Sequence, residues 1–82
     1  MKVSYHLKFF CICPSDGEEI EYSAEIVTDK FILVEDIKSF VKKFKNEKMY
    51  QEHLTELISK QFSSRVVTFA IHQDVEVVCE TT

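Results

Sequence analysis

Cysteine and histidine are the residues of this chain that could bind a metal ion. Cys11 and Cys13 occupy alternate positions of an extended segment, Cys79 lies near the C-terminus, and the three histidines are dispersed. Alternate residues of a strand lie about 6.8 Å apart on one face, whereas structural zinc sites usually take ligands from knuckles spaced by two to four residues. We therefore interpret the cysteines as small buried residues of a reduced, intracellular protein, and we predict no metal and no cofactor.

One pair of side chains could transfer protons. His6 is expected to lie opposite Glu25 on neighbouring strands, which gives a base beside a carboxylate. No third partner is evident, the sequence contains no nucleophile motif, and its single glycine leaves no glycine-rich loop for a phosphate. The sequence therefore predicts a surface pair and a protein that is not an enzyme.

The most unusual predicted surface is the outer face of an N-terminal hairpin. On this face Phe10 and Ile12 lie beside the carboxylates of Glu19, Glu21 and Glu25. Apolar side chains surrounded by charges are typical of an interaction surface, and carboxylates about 6.8 Å apart have nearly the phosphate spacing of a nucleic-acid strand. We predict these five residues as a site for a protein partner or for self-association as a homodimer. One specific form is an inhibitor of a basic, nucleic-acid-binding protein, as in small acidic proteins of mobile genetic elements.

A second candidate surface is basic. Lys38, Lys42 and Lys45 lie on one flank of a predicted helix, within a segment (30–48) that has six lysines and three acidic residues. Such a flank can follow a phosphate backbone, which gives an alternative function in nucleic-acid binding. No arginine or interleaved aromatic residue supports it, and the whole chain has a net charge of −4. We therefore expect a protein partner rather than a nucleic acid.

The hairpin that positions the first surface is predicted in detail. Apolar residues alternate over residues 3–13 and 20–28, and Pro14-Ser15-Asp16-Gly17 between them has the composition of a four-residue turn. If Cys13 lies opposite Glu18, every inward residue meets another apolar partner. The expected pairs are Cys11–Ile20, Phe9–Tyr22, Leu7–Ala24, Tyr5–Ile26 and Val3–Thr28.

Two helices are predicted after the hairpin. Apolar residues recur at helical spacing over 33–46, beginning with Leu33 and Val34, and again over about 47–62. The two apolar stripes are rotated by about a quarter-turn, so a single straight helix could not bury both. We expect a break near Asn46, which could cap the second helix.

The C-terminal segment is predicted to be β structure. It forms either one long strand or a hairpin with a loop at His72-Gln73-Asp74, and we favour the hairpin because strands longer than ten residues are uncommon. Both alternatives place residues of one parity inward. These residues are Val67, Phe69, Ile71, Val75, Val77 and Cys79.

The last strand, Val77-Val78-Cys79-Glu80-Thr81, resembles the closing strand of the 6-pyruvoyl-tetrahydropterin synthase family. In that family a strand ending in Glu-Thr binds the pterin, and the element order ββααββ also fits. The resemblance covers about five residues, and the family's zinc-binding histidine triad has no counterpart among His6, His53 and His72. It implies a third function, the binding of a pterin-like small molecule in an oligomer whose sheet closes into a barrel.

These elements predict an α+β fold in the order ββααβ(β). An antiparallel sheet, made of the long N-terminal hairpin and a C-terminal strand or hairpin, carries two helices packed on one face. We expect one domain over residues 1–82. Since no segment reads as a signal peptide or as a membrane span, we expect a cytoplasmic protein.

Overall fold

Four antiparallel strands and two helices form the protein, in the order ββααββ. The computed structural model describes residues 1–82, and its sheet has the strand order β1-β2-β3-β4. The predicted α+β fold is therefore confirmed, and the C-terminal segment is a hairpin. The elements are β1 (Val3–Ile12), β2 (Glu19–Thr28), α1 (Val34–Lys42), a short 3₁₀ helix (Lys43–Asn46), α2 (Gln51–Phe62), β3 (Arg65–His72) and β4 (Val75–Glu80).

The N-terminal hairpin has the predicted register. All five expected pairs occur, from Val3–Thr28 to Cys11–Ile20. The Cys13 N–H donates to the Glu18 carbonyl at 2.9 Å, and the Gly17 N–H donates to the Cys13 carbonyl at 2.9 Å. Gly17 has φ of 74°, a conformation in which a side chain would be strained. The turn and the apolar alternation therefore specify the same pairing.

The second helix begins later than predicted, because the chain before it binds the edge of β1, whereas the predicted first helix continues after Lys42 as the 3₁₀ helix. The Ile12 N–H donates to the Glu47 carbonyl, and the Ile12 carbonyl accepts from the Met49 N–H, each at 3.0 Å. These bonds hold residues 47–49 extended, so α2 begins at Gln51 rather than near residue 47. Tyr50, and not Asn46, occupies the N-cap position of α2, so the predicted cap was wrong.

The C-terminal hairpin has a two-residue turn, which changes the expected faces. Gln73 and Asp74 both have positive φ, 52° and 67°, and His72 lies opposite Val75. This turn pairs each even-numbered residue of β3 with an odd-numbered residue of β4. The odd-numbered residues of the two strands therefore lie on opposite faces of the sheet. Val75, Val77 and Cys79 point to the helical side as predicted. The same prediction was wrong for Val67, Phe69 and Ile71, which lie on the outer face.

Small residues of β3 occupy the helical side instead. Val66, Thr68 and Ala70 are buried there beneath the helices. The Thr55 hydroxyl of α2 lies 2.6 Å from the Thr68 hydroxyl, so helix and strand approach closely. Larger side chains at these positions would keep α2 away from the sheet, and this packing overrides the hydrophobic pattern.

An aromatic cluster fills the space between α1 and the sheet. Phe44 is fully buried, and its ring centroid lies 5.7 Å from that of Phe9 and 5.5 Å from that of Phe40. The predicted stripe of α1 is buried only in part, since Leu33 and Val34 are about half exposed. Neither helix has the length and apolar composition that crossing a membrane requires.

Candidate functional site

The outer face of the N-terminal hairpin is arranged as the sequence predicts. Phe10 lies opposite Glu21 and Ile12 opposite Glu19, with Glu25 further along β2. Phe10 is 39% exposed, and both Glu19 and Glu21 are exposed. The structure therefore brings all five residues of the predicted partner site onto one face. Their role in binding remains a prediction.

The C-terminal hairpin extends this face with apolar residues that the sequence interpretation placed inside. Phe69 lies opposite Ser23 of β2 and Val78 of β4, and Ile71 is its neighbour on the same face. Ile71 is 68% exposed and Val78 is 51% exposed. The open face of the sheet is thus broader and more apolar than expected, and monomeric proteins seldom expose a broad apolar face without a function.

His6 and Glu25 form the predicted cross-strand pair. The His6 Nε2 lies 3.4 Å from the Glu25 carboxylate, and the two side chains are 72% and 31% exposed. No third polar side chain joins them. A pair this open to solvent contributes little to stability and has no enclosed space for a substrate.

Both edges of the sheet have unpaired backbone groups. In an antiparallel ladder, alternate residues direct their N–H and C=O groups to opposite neighbours. Cys13 bonds to Glu18 of the neighbouring strand, and Thr81 bonds to Val66, so the odd-numbered residues of β1 and β4 direct their N–H and C=O groups into the sheet. The even-numbered residues of both strands direct theirs away from it. Ile12 is occupied by residues 47–49. The remaining free residues are Ser4, His6, Lys8 and Phe10 on β1, and Glu76, Val78 and Glu80 on β4.

The side chains along the two edges are complementary in charge. His6 and Lys8 lie on the β1 edge, and Glu76 and Glu80 lie on the β4 edge, all on the outer face. If β4 of one copy pairs antiparallel with β1 of another, several registers align at least two free residues of each strand. In all of these registers Glu76 or Glu80 lies directly opposite His6 or Lys8, and opposite charges in this position favour pairing.

The strand end that resembles the pterin-binding family lies at one of these edges. The Thr81 N–H donates to the Val66 carbonyl at 2.9 Å, and the Thr81 hydroxyl accepts from the Val66 N–H at 2.9 Å. The side chain of Glu80 is 49% exposed and forms an ion pair with Arg65. The backbone at Thr81 is therefore fixed, while the Glu80 carboxylate remains accessible.

The basic residues line a groove between α1 and β1. Lys38, Lys42 and Lys45 are joined there by Lys8, around a space of about 520 Å³ with Phe10 at its wall. The sequence interpretation missed Lys8, because the groove depends on where α1 packs beside the strand. The groove concentrates positive charge next to the free edge of β1.

The three cysteines do not converge. Cys11 is buried and its thiol donates to the Glu47 carbonyl at 3.2 Å, and burial raises its pKa. Cys79 is half-buried beside α2, and burial likewise raises its pKa. Cys13, in contrast, lies close to Asp16 and His72 at the turns of the two hairpins. Sequence reasoning did not detect this cluster because its members come from distant segments.

Comparison with known proteins gives a likeness in fold. No family model and no curated protein matches the chain. Among solved structures, the crystal structure of the archaeosine synthase QueF-Like in the apo form is similar, with a TM-score of 0.85 over 98% of this chain and 92% of that chain. The two sequences are 15% identical, so the likeness shows a common fold.

This likeness corrects one prediction. From the absence of recognisable catalytic motifs, the sequence interpretation concluded that the protein is not an enzyme. The comparison contradicts that conclusion, because nearly the whole chain shares its fold with a protein described as an archaeosine synthase. Short motifs are a poor guide here, since a fold can carry chemistry on residues dispersed over several strands.

Proposed function

We propose that copies of this chain pair through the open edges of their sheets into a closed barrel, and that this assembly binds a flat, pterin-like heterocycle at Glu80. The observation that carries the proposal is the position of Glu80-Thr81 at an unpaired sheet edge, in a chain with the fold of archaeosine synthase. The resemblance of this strand end to the 6-pyruvoyl-tetrahydropterin synthase family supports the ligand class.

The topology favours closure into a ring. With four antiparallel strands, β1 and β4 run in opposite directions at the two edges. Rotation of identical copies about one axis therefore places β4 of one copy antiparallel to β1 of the next, which is a heterologous contact that can close. Each such contact would satisfy the free backbone groups of both edges and bring the glutamates of β4 to His6 and Lys8.

Barrel closure also accounts for the composition of the outer face. The helices cover one face of the sheet, so the other face would line the interior of the barrel. Phe69, Ile71 and Val78 would then be shielded from bulk water, and the carboxylates of β2 would lie within the lumen. A contact between Glu19, Glu21 and a separate basic protein would compete with this arrangement, because closure turns that face inward.

The chemistry of Glu80 suits a pterin-type ring. A carboxylate accepts two parallel hydrogen bonds from a planar donor pair, such as a ring N–H with an adjacent amino group. The surface ion pair between Glu80 and Arg65 is weak enough for a ligand to displace it. In the closed barrel the Glu80 side chain would lie on the inner face beside β1 of the next copy, so residues of two copies would line the ligand site.

Assembly can be tested through the backbone of β1. Replacing Lys8 by proline removes an N–H that points to the free edge, so the fold of one copy should persist while pairing between copies is lost. We expect light scattering to give a multiple of 9.6 kDa for the native chain and a single-chain mass for Lys8→Pro, with unchanged circular dichroism. Lys8→Ala keeps the N–H and is the matched control, which should still assemble. A monomeric native chain would contradict the proposed barrel.

Ligand binding can be tested at Glu80 with pterin itself, whose own fluorescence reports binding. Glu80→Gln keeps the shape but replaces an acceptor by a donor, and we expect a loss of affinity of about 10- to 100-fold, as for a charged hydrogen bond. Glu35→Gln, at an exposed glutamate on α1, is the control and should bind nearly as the native chain does. Equal affinity of the native chain and Glu80→Gln, or no pterin binding by an assembled native chain, would contradict the proposed ligand site.

A further inference from the structure

The turns of the two hairpins bring a thiol, a carboxylate and an imidazole together. Cys13 and Asp16 belong to the β1–β2 connection, and His72 ends β3. The Cys13 Sγ, an oxygen of Asp16 and a ring nitrogen of His72 all lie within 4.8 Å of one another. The His72 Nε2 lies 2.9 Å from Asp16 Oδ2, although the two residues are 56 positions apart in the chain.

Hydrogen bonds from the backbone and from a neighbouring side chain orient the cluster. The Glu18 N–H donates to Asp16 Oδ1 at 3.0 Å, and the Gln73 amide donates to Asp16 Oδ2 at 3.1 Å. The bond to His72, followed by the one from Glu18, holds the pKa of Asp16 well below its usual range. Asp16 is therefore an anionic group with a fixed direction. Cys13 is nearly buried, at 5% exposure.

A cavity of about 270 Å³ lies beside this cluster, on the helical side of the sheet. Cys13 and His72 line it, together with Tyr22, Gln51 and Glu52. Burial raises the pKa of Tyr22 to about 12, so its hydroxyl keeps its proton and can donate a hydrogen bond. The cavity has room for a water molecule or a small ligand next to the thiol and the imidazole.

We propose that Cys13, Asp16 and His72 bind a divalent transition metal ion, of which zinc has the best chemical match. Thiolate sulfur, imidazole nitrogen and carboxylate oxygen are the ligands that zinc takes, at about 2.0–2.3 Å. Atoms within 4.8 Å of one another reach a tetrahedral arrangement through small side-chain rotations. Three protein ligands leave one coordination position for water or a substrate, as in catalytic zinc sites.

Metal binding replaces contacts that the three residues now make. The Cys13 thiol loses its proton, which passes to the solvent, and its sulfur bonds to the ion instead of contacting the Ser15 hydroxyl at 3.1 Å. The neutral His72 bonds through Nε2, and Asp16 exchanges its hydrogen bond with His72 for a bond to the ion. The ion then links the ends of two hairpins, which raises the stability of the folded chain.

Titration with cobalt(II), with thiols kept reduced, tests the site, because cobalt(II) takes zinc ligands and gives a thiolate charge-transfer absorption. We expect one ion per chain, one proton released per ion in weak buffer, and competition by zinc. Cys13→Ala should abolish the absorption. His72→Gln should lower affinity by more than the roughly 10- to 100-fold that loss of an outer-shell partner costs.

Control variants separate this site from incidental binding. Cys79→Ser removes a thiol outside the cluster, and His53→Gln removes an exposed imidazole on α2. Both should bind cobalt as the native chain does. His72→Gln affects a partly exposed residue, so it remains informative if Cys13→Ala fails to fold. Native affinity in both cluster variants, or no 1:1 binding by the native chain, would overturn the proposal, whatever the outcome of the pterin experiment.

Discussion

Replacing Phe44 by alanine is expected to lower the free energy of unfolding by about 3–5 kcal/mol. Phe44 is fully buried and contacts the rings of Phe9 and Phe40, so its removal loses burial and leaves a cavity between α1 and the sheet. For a chain of 82 residues, a total stability of roughly 4–12 kcal/mol is typical. The variant should therefore unfold at a much lower urea concentration than the native chain.

Phe31→Ala is the matched control for this measurement. Phe31 is 82% exposed, so the same change of residue type should alter stability by no more than about 0.5 kcal/mol. Urea denaturation followed by circular dichroism gives both values. Similar midpoints for the two variants would show that the aromatic cluster is not the centre of the core.

Replacing Gln51 by glutamate should have a comparable effect that depends on pH. Gln51 is 8% exposed, and its amide donates to the Thr68 carbonyl at 3.2 Å, to the Thr68 hydroxyl at 3.1 Å and to the Val77 carbonyl at 3.1 Å. A carboxylate there would face two carbonyl oxygens with nothing to donate. We expect a loss of about 3–5 kcal/mol at neutral pH, as for an unpaired buried charge.

The sign of the pH dependence follows from the pKa of the new carboxyl group. Burial beside acceptors raises its pKa in the folded chain above the value of about 4.3 expected in the unfolded chain. Between the unfolded-state and folded-state pKa values, the folded state binds more protons than the unfolded state. Stability therefore falls as pH rises from about 4.3 through the folded-state pKa. Gln51→Met removes the same hydrogen bonds without a charge. Thermal unfolding of both variants from acidic to neutral pH should show a difference that widens with pH, and a constant difference would contradict the prediction.

The N-terminal hairpin could be predicted residue by residue, because two independent signals agree. The turn Pro14-Ser15-Asp16-Gly17 allows one pairing, and the apolar alternation allows the same one. The element order and the break between the helices were predicted for similar reasons. The start of α2 was not, because residues 47–49 are held extended by Ile12, a contact that local sequence does not encode.

The C-terminal hairpin shows where hydrophobic patterning fails. Phe69 and Ile71 are larger than Thr68 and Ala70, so the hydrophobic pattern favours the odd-numbered residues of β3 as core residues. The close approach of Thr55 to Thr68 requires the smaller set on the helical side. Gln73 and Asp74, which both have positive φ, form a two-residue turn in place of the expected three-residue loop.

The candidate sites were predictable only where they lie within one hairpin. Phe10, Ile12 and the carboxylates of β2 follow directly from the register. The cluster of Cys13 with His72 depends on the alignment of β2 with β3, which brings the ends of two hairpins to the same end of the sheet. The groove that adds Lys8 to the lysines of α1 depends on helix packing.

The short parallel contact of Lys48 with Ile12 has a consequence for the size of the proposed ring. Residues 47–49 already bond to the backbone of Ile12, so β4 of a neighbouring copy cannot pair with β1 beyond Phe10. Strands can shift only in steps of two residues if their side chains are to keep the same face. This contact therefore limits the offset in register between the sheets of adjoining copies, and that offset together with the number of strands sets the diameter of a barrel. Residues 47–49 of each copy would thus help to determine how many copies form the ring.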